Sequence, residues 1–212
     1  MLKVNEIYCS ILGESIYAGI PTTLVRLTGC NLRCSYCDTT YAYENGIEMS
    51  VEQILRTVSK YNVVPVLLTG GEPLLQEDVF LLMERLYENG YMVMLETNGS
   101  LPLKEVTGDV SIIMDVKCPG SGHEKDTMFD NLDLLTDVDN VKFVLSGRPD
   151  YDWALDIIDH YELTENTHVL LSPVSRKLDP KDLGEWMIKD KLFARLSLQL
   201  HKIVWGDDVQ GR

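Results

Sequence analysis

The sequence predicts an α/β fold: a partial, incomplete TIM-like βα barrel of about six parallel strands. Three observations lead there. Short β-branched runs alternate with amphipathic stretches of helical period. Polar, Gly-containing motifs recur where those runs end. The 212 residues suit one large domain, read as 1–212, and six or so repeats in that length favour an open or partial barrel over a complete eight-unit one.

The elements follow in order. Residues 22–27 (TTLVRL) read as a strand. Ser50-Val51-Glu52-Gln53 is a capping box, and Ile54, Leu55 and Val58 put an apolar stripe on the helix it opens. Residues 63–69 (VVPVLLT) are a strand, with Pro65 tolerable only near its beginning. Within 76–89, Val79, Leu82, Met83 and Leu86 recur at helical spacing, and Gly90 stands at C′. Strands follow at 91–96 (YMVMLE), 110–117 (VSIIMDVK) and 140–145 (NVKFVL), then a helix at 152–161. A strand at 168–172 (HVLLS) precedes a helix opened by Asp179-Pro180, with Asp capping and Pro at N1. Residues 196–204 (LSLQLHKIV) read as a last strand. Strands spaced by helices imply right-handed βαβ units and a parallel sheet.

Composition narrows the function. Lys and Arg number 19 against 33 Asp and Glu, a formal charge of −14. Such a surface repels a phosphate backbone, so nucleic acid is not an expected partner. No polybasic anchor, apolar leader or membrane-length apolar run is visible, so no membrane partner is expected and the protein reads as cytoplasmic. Five cysteines, an odd number, argue against a disulfide framework.

Three of those cysteines crowd into Cys30-Asn31-Leu32-Arg33-Cys34-Ser35-Tyr36-Cys37, a C-x3-C-x2-C directly after a strand. Three thiolates on one loop suit three corners of an iron–sulfur cube, leaving one iron open to a chelating ligand. The competing reading is a zinc site completed by Cys9, Cys118, His123 or another distant residue. Cys118 otherwise reads as packing. The four histidines, His123, His160, His168 and His201, show no metal spacing. Gly70-Gly71-Glu72-Pro73, Glu96-Thr97-Asn98-Gly99, Asp115-Val116-Lys117 and Ser172-Pro173 all fall at C-terminal strand ends, where α/β proteins build their sites.

Cys30, Cys34, Tyr36 and Cys37 match C-x3-C-x-aromatic-C, so the chain resembles the radical S-adenosylmethionine superfamily. The resemblance implies a [4Fe–4S] cluster whose open iron chelates S-adenosylmethionine and cleaves it to a 5′-deoxyadenosyl radical. Gly70-Gly71-Glu72-Pro73 matches the superfamily's Gly-Gly-Glu-Pro segment, implying backbone contacts from Gly71 and Glu72 to the methionine amino group. By the same resemblance, Tyr36 and Asp38 lie under the adenine, and Glu96, Asn98, Asp115, Lys117 and Ser172 serve the remaining polar groups of S-adenosylmethionine.

The likeness extends over essentially the whole chain to one family. Ser10-Ile11-Leu12-Gly13-Glu14, Gly19-Ile20-Pro21, residues 25–32, Cys37-Asp38-Thr39-Thr40-Tyr41-Ala42, residues 115–122 and residues 199–206 are similar to 7-carboxy-7-deazaguanine synthases. That family rearranges 6-carboxy-5,6,7,8-tetrahydropterin with loss of ammonia, starting from hydrogen abstraction at C6, on the route to queuosine and other 7-deazapurines. The resemblance implies Thr39 as a Mg²⁺ ligand and Ile11, Leu12, Gly13, Glu14, Arg26 and Thr69 as substrate residues. Leu12 stands where the family usually has Gln, and Ser15 where it usually has Gly. A homodimer and a flavodoxin or ferredoxin reductant are implied likewise.

Each residue also has a plainer reading. Arg26 interrupts an apolar strand and needs an anion, either a substrate carboxylate or Glu6 or Glu14. Glu14 reads alternatively as a solvated loop carboxylate, Thr39 and Thr69 as turn hydroxyls, Asn98-Gly99 as a turn signal, and Lys117 as a solvated strand end. Two rival functions share the cysteine motif: an activase that makes a glycyl radical on a partner enzyme, and a non-catalytic electron carrier or zinc-stabilised binding module.

Overall fold

A computed structural model describes residues 1–206 and Gly211. Its strands are β1 (Leu2–Ile11), β2 (Pro21–Leu27), β3 (Ile47–Met49), β4 (Pro65–Gly70), β5 (Met92–Thr97), β6 (Val110–Val116), β7 (Asn140–Leu145), β8 (His168–Pro173) and β9 (Arg195–Leu196). They form one sheet in the order β3-β1-β2-β4-β5-β6-β7-β8-β9. Neighbours from β2 to β9 run parallel, while β1 is antiparallel to both β2 and β3. The parallel strands of substantial length are thus the six expected, β2, β4, β5, β6, β7 and β8.

The helices are α1 (Val51–Val58), α2 (Asp78–Glu88), α3 (Arg148–His160), α4 (Leu163–Asn166), α5 (Pro180–Asp190) and α6 (Leu200–Trp205). Local chemistry sets their ends. At α1, the Ser50 hydroxyl accepts from the Gln53 amide while the Gln53 side chain accepts from the Ser50 amide, completing the box. Asp179 caps α5 through the Lys181 amide ahead of Pro180. Gly90 follows α2 with φ of 81°, the left-handed stop the sequence implied.

The period of two along each strand sorts residues onto two faces. One face carries Val25, Leu27, Val66, Leu68, Val93, Leu95, Ile112, Met114, Val141, Phe143, Val169 and Leu171 into the main core with the buried stripes of α1, α2, α3 and α5. The other face begins apolar, with Leu24, Leu67, Met94 and Ile113 packed against Leu12. Towards the C-terminal strand ends the same parity turns polar: Arg26, Thr69, Glu96, Asp115, Lys142 and Ser172.

The sheet must curl. β1 and β8 lie six strand spacings apart, about 29 Å if flat, and Glu14 is only three residues past the end of β1. Yet the Ser172 hydroxyl donates to Glu14 at 3.1 Å, and the Ile16 amide donates to Asn140 at 3.0 Å. The strand ends therefore close round a common space, the partial barrel the sequence predicts.

Two expectations need correction, and three elements were not foreseen. β1 and β3 were not legible as strands, because β1 is half-buried along most of its length with polar residues that blur the period, and β3 is only three residues long. α3 starts at Arg148 rather than 152, with Pro149 in its first turn. The short α4 carries no strong signal. The terminal strand 196–204 is not one: only Arg195–Leu196 joins β8, Ser197 makes one further bond to Leu171, and α6 follows. The alternating Leu196, Leu198 and Leu200 imitate a strand, but the Leu200 amide is taken by the Gly13 carbonyl, which folds the tail back across the barrel mouth.

Candidate active site

At the C-terminal ends of the strands lies a cavity of about 590 Å³, within the range usual for small-molecule sites. Cys30, Cys34 and Cys37 line it, as do Arg26, Glu14 and the rim residues Glu96, Asn98, Asp115 and Lys117. Ile11, Leu12, Gly13, Tyr36, Asp38, Thr39, Thr69 and Gly71 complete the expected set around it. Glu72 and Ser172 do not line it. The Glu72 carboxylate is wholly buried and accepts from the Leu74 and Asn98 amides and the Thr97 hydroxyl, which fastens the end of β4 to that of β5. Ser172 reaches the site through Glu14.

The cysteine loop leaves β2 and is pinned from several sides. The Glu72 amide donates to the Gly29 carbonyl at 2.7 Å and the Ser35 amide to the Ser121 carbonyl at 3.0 Å. The Tyr36 hydroxyl donates to the Val144 carbonyl at 3.0 Å, and the Arg33 amide to His123 Nε2 at 3.1 Å. A Cβ on Gly71 would stand 2.0 Å from the Gly29 oxygen and 2.7 Å from Cys30 Cβ, so only glycine lets this backbone pass so close to the loop. All three thiols are free and partly accessible. Cys118 is fully buried in the main core, where its thiol donates weakly to the Val116 carbonyl, and burial pushes it well up; it is a packing residue.

Opposite charges fill the rim. Lys142, in the middle of β7, reaches Glu96 at 2.5 Å, Glu14 at 3.2 Å and Asp115 at 3.6 Å. Glu96 also accepts from the Thr69 hydroxyl at 2.9 Å. Burial alone would raise the Glu96 carboxyl, but the Lys142 charge and its hydrogen bond, with that of Thr69, hold it down at about 2. Lys117 pairs with Asp115 at 2.9 Å and is not the solvated strand end of the plainer reading. The second Asp115 oxygen, Oδ1, is buried without a partner, an acceptor awaiting a donor. Asn98 lies against the cysteine loop, its amide donating to Asn31 at 3.1 Å.

Arg26 realises part of both its readings. Its Nε donates to Glu6 at 2.8 Å and Nη2 to the Tyr8 phenol at 3.4 Å, while the side chain borders the cavity. Glu14 is not its partner, since Glu14 faces Lys142 and Ser172. Thr39 donates to Asp38 at 3.0 Å, and the other Asp38 oxygen holds Lys202 of α6 at 2.5 Å. Leu12 fills the apolar patch of the inner face, 2% exposed. Ser15, where glycine is usual, adopts φ of 91°, a glycine-like conformation, and its hydroxyl accepts from the Tyr17 amide.

Sequence reasoning missed three site residues. Lys142 stands inside an apolar strand, the same signal that singled out Arg26. His201 and Lys202 were assigned to a strand, whereas α6 carries both to the cavity. Burial lowers the His201 imidazole below its ordinary value.

Three thiols on one pinned loop, a glycine backbone beside them and an orphaned carboxylate oxygen form a donor set that fits an iron–sulfur cluster and a polar nucleotide ligand. Comparison with known proteins agrees. Residues 24–162 match the model of the radical SAM superfamily, and the chain belongs to that superfamily, whose members carry a [4Fe–4S] cluster and use S-adenosylmethionine. The chain is 43% identical to a 7-carboxy-7-deazaguanine synthase of Koribacter versatilis, over 99% of this chain and 100% of the relative. It is 40% identical to another from Chlorobaculum tepidum, over 99% and 97%. The chain is therefore a member of the 7-carboxy-7-deazaguanine synthase family. The crystal structure of QueE from Escherichia coli shares its fold, with a TM-score of 0.76 at 22% identity over 93% of both chains. So does Streptococcus suis SuiB bound to S-adenosylmethionine, at 0.60 and 17%, over 78% of this chain and 45% of that one. Among the described residues no helix is long and apolar enough to cross a membrane.

Proposed function

We propose that this chain is a radical lyase that converts 6-carboxy-5,6,7,8-tetrahydropterin to 7-carboxy-7-deazaguanine with loss of ammonia. The observation that carries the reading is a single cavity that joins the three thiols to Arg26, Glu14 and Thr69. Cys30, Cys34 and Cys37 would hold the cluster, with Tyr36, Asp38, Gly71, Glu72, Asn98, Asp115, Lys117 and Ser172 around S-adenosylmethionine, Glu72 through its backbone and Ser172 through Glu14. When bound, that pair supplies the radical that takes a hydrogen from the substrate.

The chain's own residues bind and orient. Arg26 has five N–H donors and Glu6 occupies one edge, so the guanidinium can also fork onto the pterin carboxylate. Glu14 and Glu96 accept from the donor-rich edge of the pterin; Glu96, which the resemblance gives to S-adenosylmethionine, groups instead with Thr69 and, through Lys142, with Glu14 on the pterin side of the rim. Ile11, Leu12 and Gly13 shape the entrance, Leu12 by packing. Asp115 Oδ1 offers an acceptor to a ligand hydroxyl. His201 and α6 cover the mouth and exclude water.

Thr39, beside Asp38, gives Mg²⁺ an oxygen donor, with substrate and water supplying the rest of its shell. The reading takes 1–212 as one catalytic unit, of which 207–210 and 212 lie outside the described residues. It is completed by a flavodoxin or ferredoxin docking at the cysteine loop, a homodimer and a cytoplasmic setting. A charge of −14 suits a free pterin better than a base already within RNA.

Anaerobic incubation of reduced, reconstituted protein with the carboxypterin, S-adenosylmethionine and Mg²⁺ tests the proposal. Mass spectrometry is expected to show the carboxydeazaguanine and an equal amount of ammonia, with the rate falling when Mg²⁺ is chelated. Intact substrate after full turnover time contradicts the reading.

A further inference from the structure

Lys142 is a buried cation that the function above leaves without a task. It stands in the middle of β7, between Val141 and Phe143, both fully buried on the opposite face. Its side chain is 4% exposed, and its ammonium meets carboxylates from three different places: Glu14 after β1, Glu96 on β5 and Asp115 on β6. Asp115 is also its register partner in the sheet.

An ammonium buried in this position has its hydrogen bonds already directed at Glu14 and Glu96. Burial opposes its charge, but the three carboxylates more than offset that, so it stays protonated and is no proton donor at neutral pH. Its removal would leave three carboxylates facing one another, of which Asp115 keeps its pairing with Lys117. Arg26 acts on Glu96 from β2, and His201, whose imidazole burial lowers below its ordinary value, lies near Glu14. Neither substitutes for an ammonium that touches all three.

Resting on the reading of this cavity as a pterin site, we propose that Lys142 is a positioning residue that sets the spacing of Glu14 and Glu96 as joint acceptors for the pterin. Through Asp115 it ties that pair to the nucleotide side of the cavity. A compact point charge is required, because a planar guanidinium cannot place one nitrogen against three carboxylates from separate strands.

The test is calorimetric binding of the carboxypterin to the reconstituted, S-adenosylmethionine-loaded protein between pH 6 and 8, with steady-state kinetics alongside. Lys142→Met is expected to weaken pterin binding by about tenfold or more, increasingly so towards pH 6 as Glu96, no longer held down by the ammonium, takes up a proton. Lys142→Arg is expected to fall between the two, with KM raised about threefold or more and kcat little changed. Folded Lys142→Met protein that binds the pterin like wild type across this range overturns the proposal and leaves the site reading intact. If Lys142→Met does not fold, a wild-type KM in Lys142→Arg overturns it instead. Wild-type protein that does not bind the carboxypterin overturns both.

Discussion

Glu96 carries a pH signature that can be read without any substrate. Its carboxyl is held at about 2 against an ordinary value near 4.5, because Lys142 and Thr69 favour the charged form more than burial opposes it. A depressed folded value means that the native state binds protons less readily than the unfolded chain. The stability Glu96 contributes is therefore complete above about pH 4.5 and lost as pH falls towards 2. Denaturant midpoints measured from pH 6 down to 2.5 should decline less steeply in Glu96→Gln than in wild type. Superimposable profiles contradict the assigned network. At this scale the sequence was only partly legible. Arg26 announced itself as a charge inside an apolar strand, and Lys142 carries the same mark in NVKFVL, yet its three partners sit on elements far apart in the chain. Only the folded sheet brings them together.

At the scale of elements, the cysteine loop depends on the segment that ends β4. The Gly71 backbone runs against Gly29 and Cys30, where a Cβ would meet a carbonyl oxygen at 2.0 Å. Gly71→Ala must displace one of the two segments at a cost of about 1–3 kcal/mol. The variant is expected to fold but to retain less iron after reconstitution than wild type, measured per protein chain. Full iron content and an unchanged melting temperature contradict this account of the loop. Strands β2, β4, β5, β6, β7 and β8 were legible because each is a short apolar run bounded by turn chemistry. The capped starts of α1 and α5 were legible for the same kind of local reason. β1 was not, since an antiparallel strand at one side of the sheet keeps polar residues among its apolar ones. α6 was not, because the period of Leu196, Leu198 and Leu200 favours a strand, while its actual form is set by the distant Gly13 and Asp38. Tertiary contact overrode local pattern there.

Across the whole molecule, one parity rule organises both stability and chemistry. Odd and even strand positions divide a continuous apolar core from an inner face that is greasy at one end and charged at the other. The curl that brings Glu14 to Ser172 turns that charged end into a cavity, and the cysteine loop closes one side of it. The central claim is that this loop holds an iron–sulfur cube at three corners and leaves the fourth iron free for S-adenosylmethionine. Electron paramagnetic resonance of anaerobically reconstituted, reduced protein tests it most directly, on samples whose iron and sulfide have been counted. About four of each per chain are expected, with a signal that changes when S-adenosylmethionine is added. Zinc without sulfide, or a cluster signal indifferent to S-adenosylmethionine, would contradict it.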